Sequence, residues 1–160
     1  VGCDVRGCTT GITGSYASTI EDCRVSNCTQ HGISAVGSAV ARCTITGCGS
    51  AGIYAQAHAV VEGCVLRDNG PGSGFAIRLV GQGSRIEANT VSGSWFGIFL
   101  DTGATDNLIV RNNVRKGGGT GGILMNGQTF GSYPNNHVAQ IIVDPTSPFA
   151  ATNPMANIQY

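Results

Sequence analysis

Apolar and polar positions along the chain recur in short bursts, and nowhere over ten or more residues do they take the i, i+3, i+4, i+7 spacing of a helix face. They fall into columns instead. Gly-Ile pairs stand at Gly11-Ile12, Gly32-Ile33, Gly52-Ile53, Gly97-Ile98 and Gly122-Ile123, and Gly74-Phe75-Ala76-Ile77 fills the missing beat, for a period of 20 to 25 residues. A second column in the same phase has an aliphatic residue, Cys or Asn three positions on, and another aliphatic two further. It reads Ile20-Cys23-Val25, Val40-Cys43-Ile45, Val61-Cys64-Leu66, Ile86-Asn89-Val91 and Ile109-Asn112-Val114, opened by Cys3 with Val5 and closed by Asn136 with Val138. A third column, five positions beyond, is Cys8, Cys28, Cys48, Asn69 and Ser94. Three columns in one phase predict one coil per repeat, built from short strands and turns. Leucine-rich repeats share the length but need Leu columns, and this chain has five Leu.

The repeating unit, as in Ile86-Glu87-Ala88-Asn89-Thr90-Val91 followed by Gly97-Ile98, resembles that of the right-handed parallel β-helix proteins of the pectin-lyase-like superfamily. The resemblance implies an all-β solenoid of about six to seven coils over residues 1–140. It also implies an inward-facing ladder at a sharp turn, here Cys3, Cys23, Cys43, Cys64, Asn89, Asn112 and Asn136. A buried thiol would fill that corner by packing, whereas an Asn must also satisfy its donors and acceptors. The chain enters the repeat at Val1-Gly2-Cys3 with no capping element before it, which suggests a fragment, or a first coil covered by another domain or subunit, a homo-oligomer included. Four of the five Pro lie in the last 27 residues, at Pro134, Pro145, Pro148 and Pro154. Residues 141–160 therefore read as a capping tail with Phe149, Met155, Ile158 and Tyr160 as its plugs.

Charge narrows the partners. Nine basic and nine acidic residues cancel, which argues against a nucleic-acid or anionic-membrane grip. No apolar run is long enough for a membrane span. Seven Cys, in Cys3/Cys8, Cys23/Cys28 and Cys43/Cys48 pairs with Cys64 left over, permit a zinc site by spacing, but aliphatic residues share the periodicity and Asn later takes the column. A disulfide between stacked coils would be strained, at about 4.8 Å between coils. Free buried thiols are expected, with no metal and no cofactor. The chain's location is expected to be extracellular or at the cell surface, from the resemblance.

In the resembled family the strand at the Gly-Ile beat lines a groove for polysaccharide. With Ile inward, the next residue faces out, giving Thr13, Ser34, Tyr54, Arg78, Phe99 and Leu124; two further on come Val36, Gln56, Val80, Asp101 and Asn126. Tyr54, Arg78, Phe99, Asp101 and Asn126 are the candidate binding residues, since aromatic faces stack on sugar rings and Arg forks onto a carboxylate. Hydrolysis wants two carboxyls about 5–9.5 Å apart, for which Asp101 and Asp106 are the candidates. A lyase would want a carboxylate cluster and a base-side residue such as Arg78, and the cluster is missing. Glu21, Glu62 and Glu87 read as a solvated face, and His31 and His58 as surface turn residues. Two functions stay open. One is an exported bacterial or phage protein that binds, and as a lyase or glycoside hydrolase cleaves, an acidic polysaccharide. The other is a structural or adhesive solenoid such as a stalk or spike segment.

Overall fold

The computed structural model describes residues 2–115 and, beyond them, the strand backbones Gly121–Met125, His137–Val138, Gln140–Ile142 and Asn157–Gln159. Every strand pairing is parallel, with the counterpart one repeat away for all strands but Gln140–Ile142 and Asn157–Gln159, and there is no helix among the described residues. Each coil has three sides. The first sheet stacks the Gly-Ile strands Thr10–Gly14, His31–Ala35, Ala51–Ala55, Phe75–Leu79, Phe96–Leu100 and Gly121–Met125. The second stacks Thr19–Glu21, Ala39–Ala41, Val60–Glu62, Arg85–Glu87, Leu108–Val110 and His137–Val138. The third stacks Asp4–Arg6, Arg24–Ser26, Thr44–Thr46, Val65–Arg67, Thr90–Ser92 and Asn113–Val114, and Asn157–Gln159 and then Gln140–Ile142 extend it. The tail thus continues a sheet, with Asn113 opposite Ile158 and Val114 opposite Gln159. Phe149, Met155 and Tyr160 lie outside the described residues.

The core is the stacked aliphatic columns. Ile33, Ile53, Ile77 and Ile98 from the first sheet, Val40, Val61, Ile86 and Ile109 from the second, and Val25, Ile45, Leu66 and Val91 from the third are at most 1% exposed. Each such side chain contributes roughly 1.5–3 kcal/mol by leaving water, so a coil is held mainly by three inward aliphatics stacked on those of its neighbours.

A coil turns its corners by single residues in the left-handed region, each preceding a small inward side chain. At the corner between second and third sheets these are Asp22, Arg42, Gly63, Ala88 and Arg111, with φ of 55, 53, 62, 55 and 56°. The inward residues next to them are Cys23, Cys43, Cys64, Asn89 and Asn112. After the third sheet the corner residues Asn27, Gly47, Asp68 and Gly93 precede Cys28, Cys48, Asn69 and Ser94. After the first sheet Gly37, His58, Gly83 and Asp106 precede Ser38, Ala59, Ser84 and Asn107. Non-glycine residues in this region cost about 1–2 kcal/mol each, so each corner depends on the packing and hydrogen bonds of the inward residue beside it.

Where Asn stands at a corner it supplies bonds that the backbone of the turn cannot make for itself. The Cys64 amide donates to Asn89 Oδ1 (2.9 Å), and the Asn89 amide to Asn112 Oδ1 (3.0 Å). Asn89 Nδ2 donates to Val61 O (3.0 Å) and to Asn112 Oδ1 (2.9 Å). In the second corner column Asn69 accepts from the Cys48 amide (3.0 Å) and donates to Ile45 O (3.0 Å). A third ladder has no counterpart among the sequence columns: the Ser84 amide donates to Asn107 Oδ1 (2.8 Å) and the Ala59 amide to Ser84 Oγ (3.1 Å). Thiols do less. Cys43 Sγ lies 3.3 Å from Ala41 O and Cys64 Sγ 3.5 Å from Glu62 O, both weak contacts. All seven cysteines are free; five are buried, but Cys3 and Cys8, in the first coil, are exposed. Those two are not core. Asn136 lies outside the described residues.

The Gly of the Gly-Ile beat has a packing reason. A Cβ at Gly32 would stand 2.5 Å from Ile45 Cγ2 and 2.6 Å from Gly52 O, and one at Gly11 would stand 2.5 Å from Val25 Cγ1. The backbone there lies against the core of its own coil, and Ala76 is the one such position to carry a side chain.

Candidate functional site

The first-sheet outer face is assembled by register. Thr13, Ser34, Tyr54, Arg78, Phe99 and Leu124 are successive partners across the stack. Tyr54, Arg78, Phe99 and Asp101 are therefore neighbours, as the alternation places them; Asn126 lies outside the described residues.

Their mutual contacts differ from an open sugar platform. Arg78 donates from Nε to Asp101 Oδ2 (2.9 Å) and from Nη2 to the same oxygen, while Asp101 Oδ1 accepts from the Thr102 amide (2.9 Å). The ion pair is part-buried, with side chains 35% and 18% exposed, so solvent screens it less than a surface pair. The Arg78 guanidinium also stands 5.7 Å from the Tyr54 ring centroid and 5.5 Å from that of Phe75. Tyr54 is covered from the preceding coil by His31, its ring centroid 4.9 Å away and 12° from parallel. Phe99 is 8% exposed, packed on Phe75 at 4.6 Å and on Phe96 at 5.8 Å. Hence Tyr54 is half-buried between two neighbours and Phe99 is nearly closed off; neither presents a free ring face.

His31, Phe75 and Phe96 were not found from sequence, and His31 is no surface turn residue: it opens a strand and is half-buried. The reason is local. Gly32 and Ile33 both face the core, so the strict two-residue alternation breaks there and the residue before Gly comes out beside Tyr54 rather than pointing in. Burial first, and then the charge of Arg78, holds the His31 imidazole below its ordinary pKa. Its Nδ1 is buried with no partner.

Asp101 is engaged by Arg78, and Asp106 is an exposed corner residue with φ of 55°. No group of three or more His, Cys, Asp or Glu that could hold a metal occurs among the described residues. The glutamates do not share one solvated column. Glu21 is exposed and bound by Arg42, which also forks onto Asp22 through Nε (2.9 Å) and Nη2 (3.0 Å). Glu87, however, is 4% exposed and covered by Arg85 and Arg111, whose side chains are half exposed, so it is a buried carboxylate under two surface arginines and not part of a solvated face. Burial pushes the Cys48 thiol up to about 11; the hydrogen bond with Cys43 and then burial push Cys64 up. These two thiols are inert packing groups.

The family described as right-handed beta helix region matches residues 2–143. Comparison with curated proteins and with solved structures finds no match for the chain.

Proposed function

The chain belongs to the right-handed β-helix family, and on that scaffold we propose a carbohydrate-associated protein that binds a polysaccharide along the first-sheet face. The observation that carries the reading is the half-buried pair Arg78–Asp101 set among Tyr54, Phe75 and Phe96. Such a pair offers a fixed donor and a fixed acceptor beside apolar ring edges, which suits vicinal sugar hydroxyls. Because Asp101 already answers the charge of Arg78, this face fits hydroxyls better than carboxylates. Cleavage is outside the reading, since hydrolysis needs two available carboxyls and Asp101 is committed. An extracellular or cell-surface place goes with this function.

A second reading, a structural or adhesive solenoid, draws on the covered faces of Tyr54 and the burial of Phe99. A glycan-binding screen at physiological salt, with wild type and Tyr54→Ala/Arg78→Ala, separates the two. Binding that the folded double variant loses supports the polysaccharide reading. No binding of neutral glycans by wild type, or neutral-glycan binding that the variant keeps, overturns this face as the site.

A further inference from the structure

All eight arginines of the chain lie in the described part, and their pairing is uneven. Arg42, Arg85 and Arg111, on the second sheet and its corner, are held by Glu21, Asp22 and Glu87, and Arg78 on the first sheet is held by Asp101. On the third sheet Arg6 is matched by Asp4. Arg24, Arg67 and Arg115 form no ion pair among the described residues and are all exposed; Arg24 and Arg67 lie on that same third sheet and Arg115 directly after its strand Asn113–Val114.

Their spacing is regular. Register runs from Arg24–Ser26 through Thr44–Thr46, Val65–Arg67 and Thr90–Ser92 to Asn113–Val114, so the three arginines occupy alternate rungs. With rungs about 4.8 Å apart, one unpaired cation recurs about every 10 Å along the stack. The rungs between carry hydroxyls, Thr44 and Thr46 on one and Thr90 and Ser92 on the other. Beside Arg115 an open groove of about 480 Å³ is lined by Thr90, Val91, Ser92, Asn113 and Arg115. Asp4, opposite Arg24, has both carboxylate oxygens bonded by Arg6 and feels the Arg24 charge without an ion pair to it. Asp68, the corner residue after Arg67, makes no ion pair with it.

We infer that the third-sheet face is a second binding surface, which takes a linear anionic polysaccharide lying along the solenoid axis. Its carboxylates or sulfates meet Arg24, Arg67 and Arg115, and its hydroxyls meet the intervening Thr and Ser. Nucleic acid fits less well, because no aromatic residue projects from this face among the described residues to stack a base and the chain carries no net positive charge. The proposal does not depend on the first-sheet site.

The test is binding of the full chain to immobilised polygalacturonate, heparin, neutral dextran and a single-stranded DNA oligonucleotide, with salt raised from about 0.05 to about 0.5 M. The expected result is binding to polygalacturonate or heparin that salt weakens at least about tenfold and that Arg24→Ala/Arg67→Ala/Arg115→Ala weakens by at least a similar factor. Replacing the same three by Lys should retain part of it, because charge remains while the fork is lost. Arg42→Ala, which removes a cation already matched by Glu21 and Asp22 on another face, should leave it within about twofold. Failure of both anionic glycans to bind, equal affinity for the DNA, or a folded triple-Ala variant that binds like wild type overturns the proposal. Loss of dextran binding in the Tyr54/Arg78 variant alone reports on the first-sheet site instead.

Discussion

Replacing Asn89 by Ala separates the two ways a corner of this solenoid is filled. The Asn89 side chain accepts from the Cys64 amide at 2.9 Å and donates to Val61 O at 3.0 Å and Asn112 Oδ1 at 2.9 Å, with 1% of the residue exposed. Asn112 Oδ1 keeps a donor in Asn89→Ala, because the backbone amide of residue 89 also points at it. The Cys64 N–H loses its partner, deep in the stack, while Val61 O keeps its place in the parallel ladder with the next coil. A buried group left unsatisfied costs about 1–3 kcal/mol and the emptied corner about 1 kcal/mol more, which places the loss at roughly 2–4 kcal/mol, a large part of an ordinary domain's stability. Cys43→Ala, at the same corner two coils earlier, removes packing and weak thiol contacts, to Ala41 O at 3.3 Å, to Ile20 O at 3.6 Å and to the Cys64 thiol. Its cost should stay near 1–2 kcal/mol, about that of one buried methylene-sized group and its cavity. Urea unfolding monitored by far-ultraviolet circular dichroism gives both values from the midpoint shifts at constant slope. Equal losses for the two variants, or a loss under about 1 kcal/mol for Asn89→Ala, would refute the account of the ladder.

Gly32→Ala sets a methyl 2.5 Å from Ile45 Cγ2 and 2.6 Å from a backbone oxygen, and should destabilise by about 1–3 kcal/mol in the same assay, whereas alanine already stands at the equivalent position 76. Titration of the native protein with a thiol reagent should label Cys3 and Cys8 quickly and the five buried thiols only on unfolding; rapid labelling of more than two would contradict the packing. His31, whose pKa is depressed by burial and by Arg78, favours folding in its neutral form. Its contribution is full above the unfolded value near 6.5 and is lost as pH falls through the lower folded value. Stability measured from about pH 8 down to about pH 5 should decline less steeply in His31→Gln, and an unchanged slope would discount this term.

Much of this molecule is legible in its sequence because a solenoid maps position in the repeat directly onto position in space. Columns at Ile12, Ile33, Ile53, Ile77 and Ile98 become one inward stripe, and the outward neighbours Tyr54, Arg78 and Phe99 become one row, since register between coils is fixed residue by residue. Two of the three corner ladders were visible for the same reason. The third was not, because Ser38, Ala59, Ser84 and Asn107 share small size and burial but no side-chain chemistry. Their column shows only through its fixed place two positions before Val40, Val61, Ile86 and Ile109.

Counting along the chain could not give which outward groups consume one another. Whether Arg78 is free for a ligand depends on where its guanidinium rests, and it rests on Asp101, one coil on, between the rings of Tyr54 and Phe75. Exposure of Phe99 depends on Phe75 and Phe96, which reach the outer face only because two successive residues after each of them turn inward. The same logic separates the three faces. The second sheet and its corners bring Glu21, Asp22 and Glu87 to Arg42, Arg85 and Arg111, the first brings Asp101 to Arg78, and both faces neutralise themselves. On the third sheet Arg67 stands between Thr46 and Ser92, and Arg24, although opposite Asp4, forms no ion pair among the described residues. A chain of zero net charge can therefore still carry one face with cations to spare, and the unmatched charge, not the aromatic content, is what distinguishes the faces of this solenoid toward an anionic ligand.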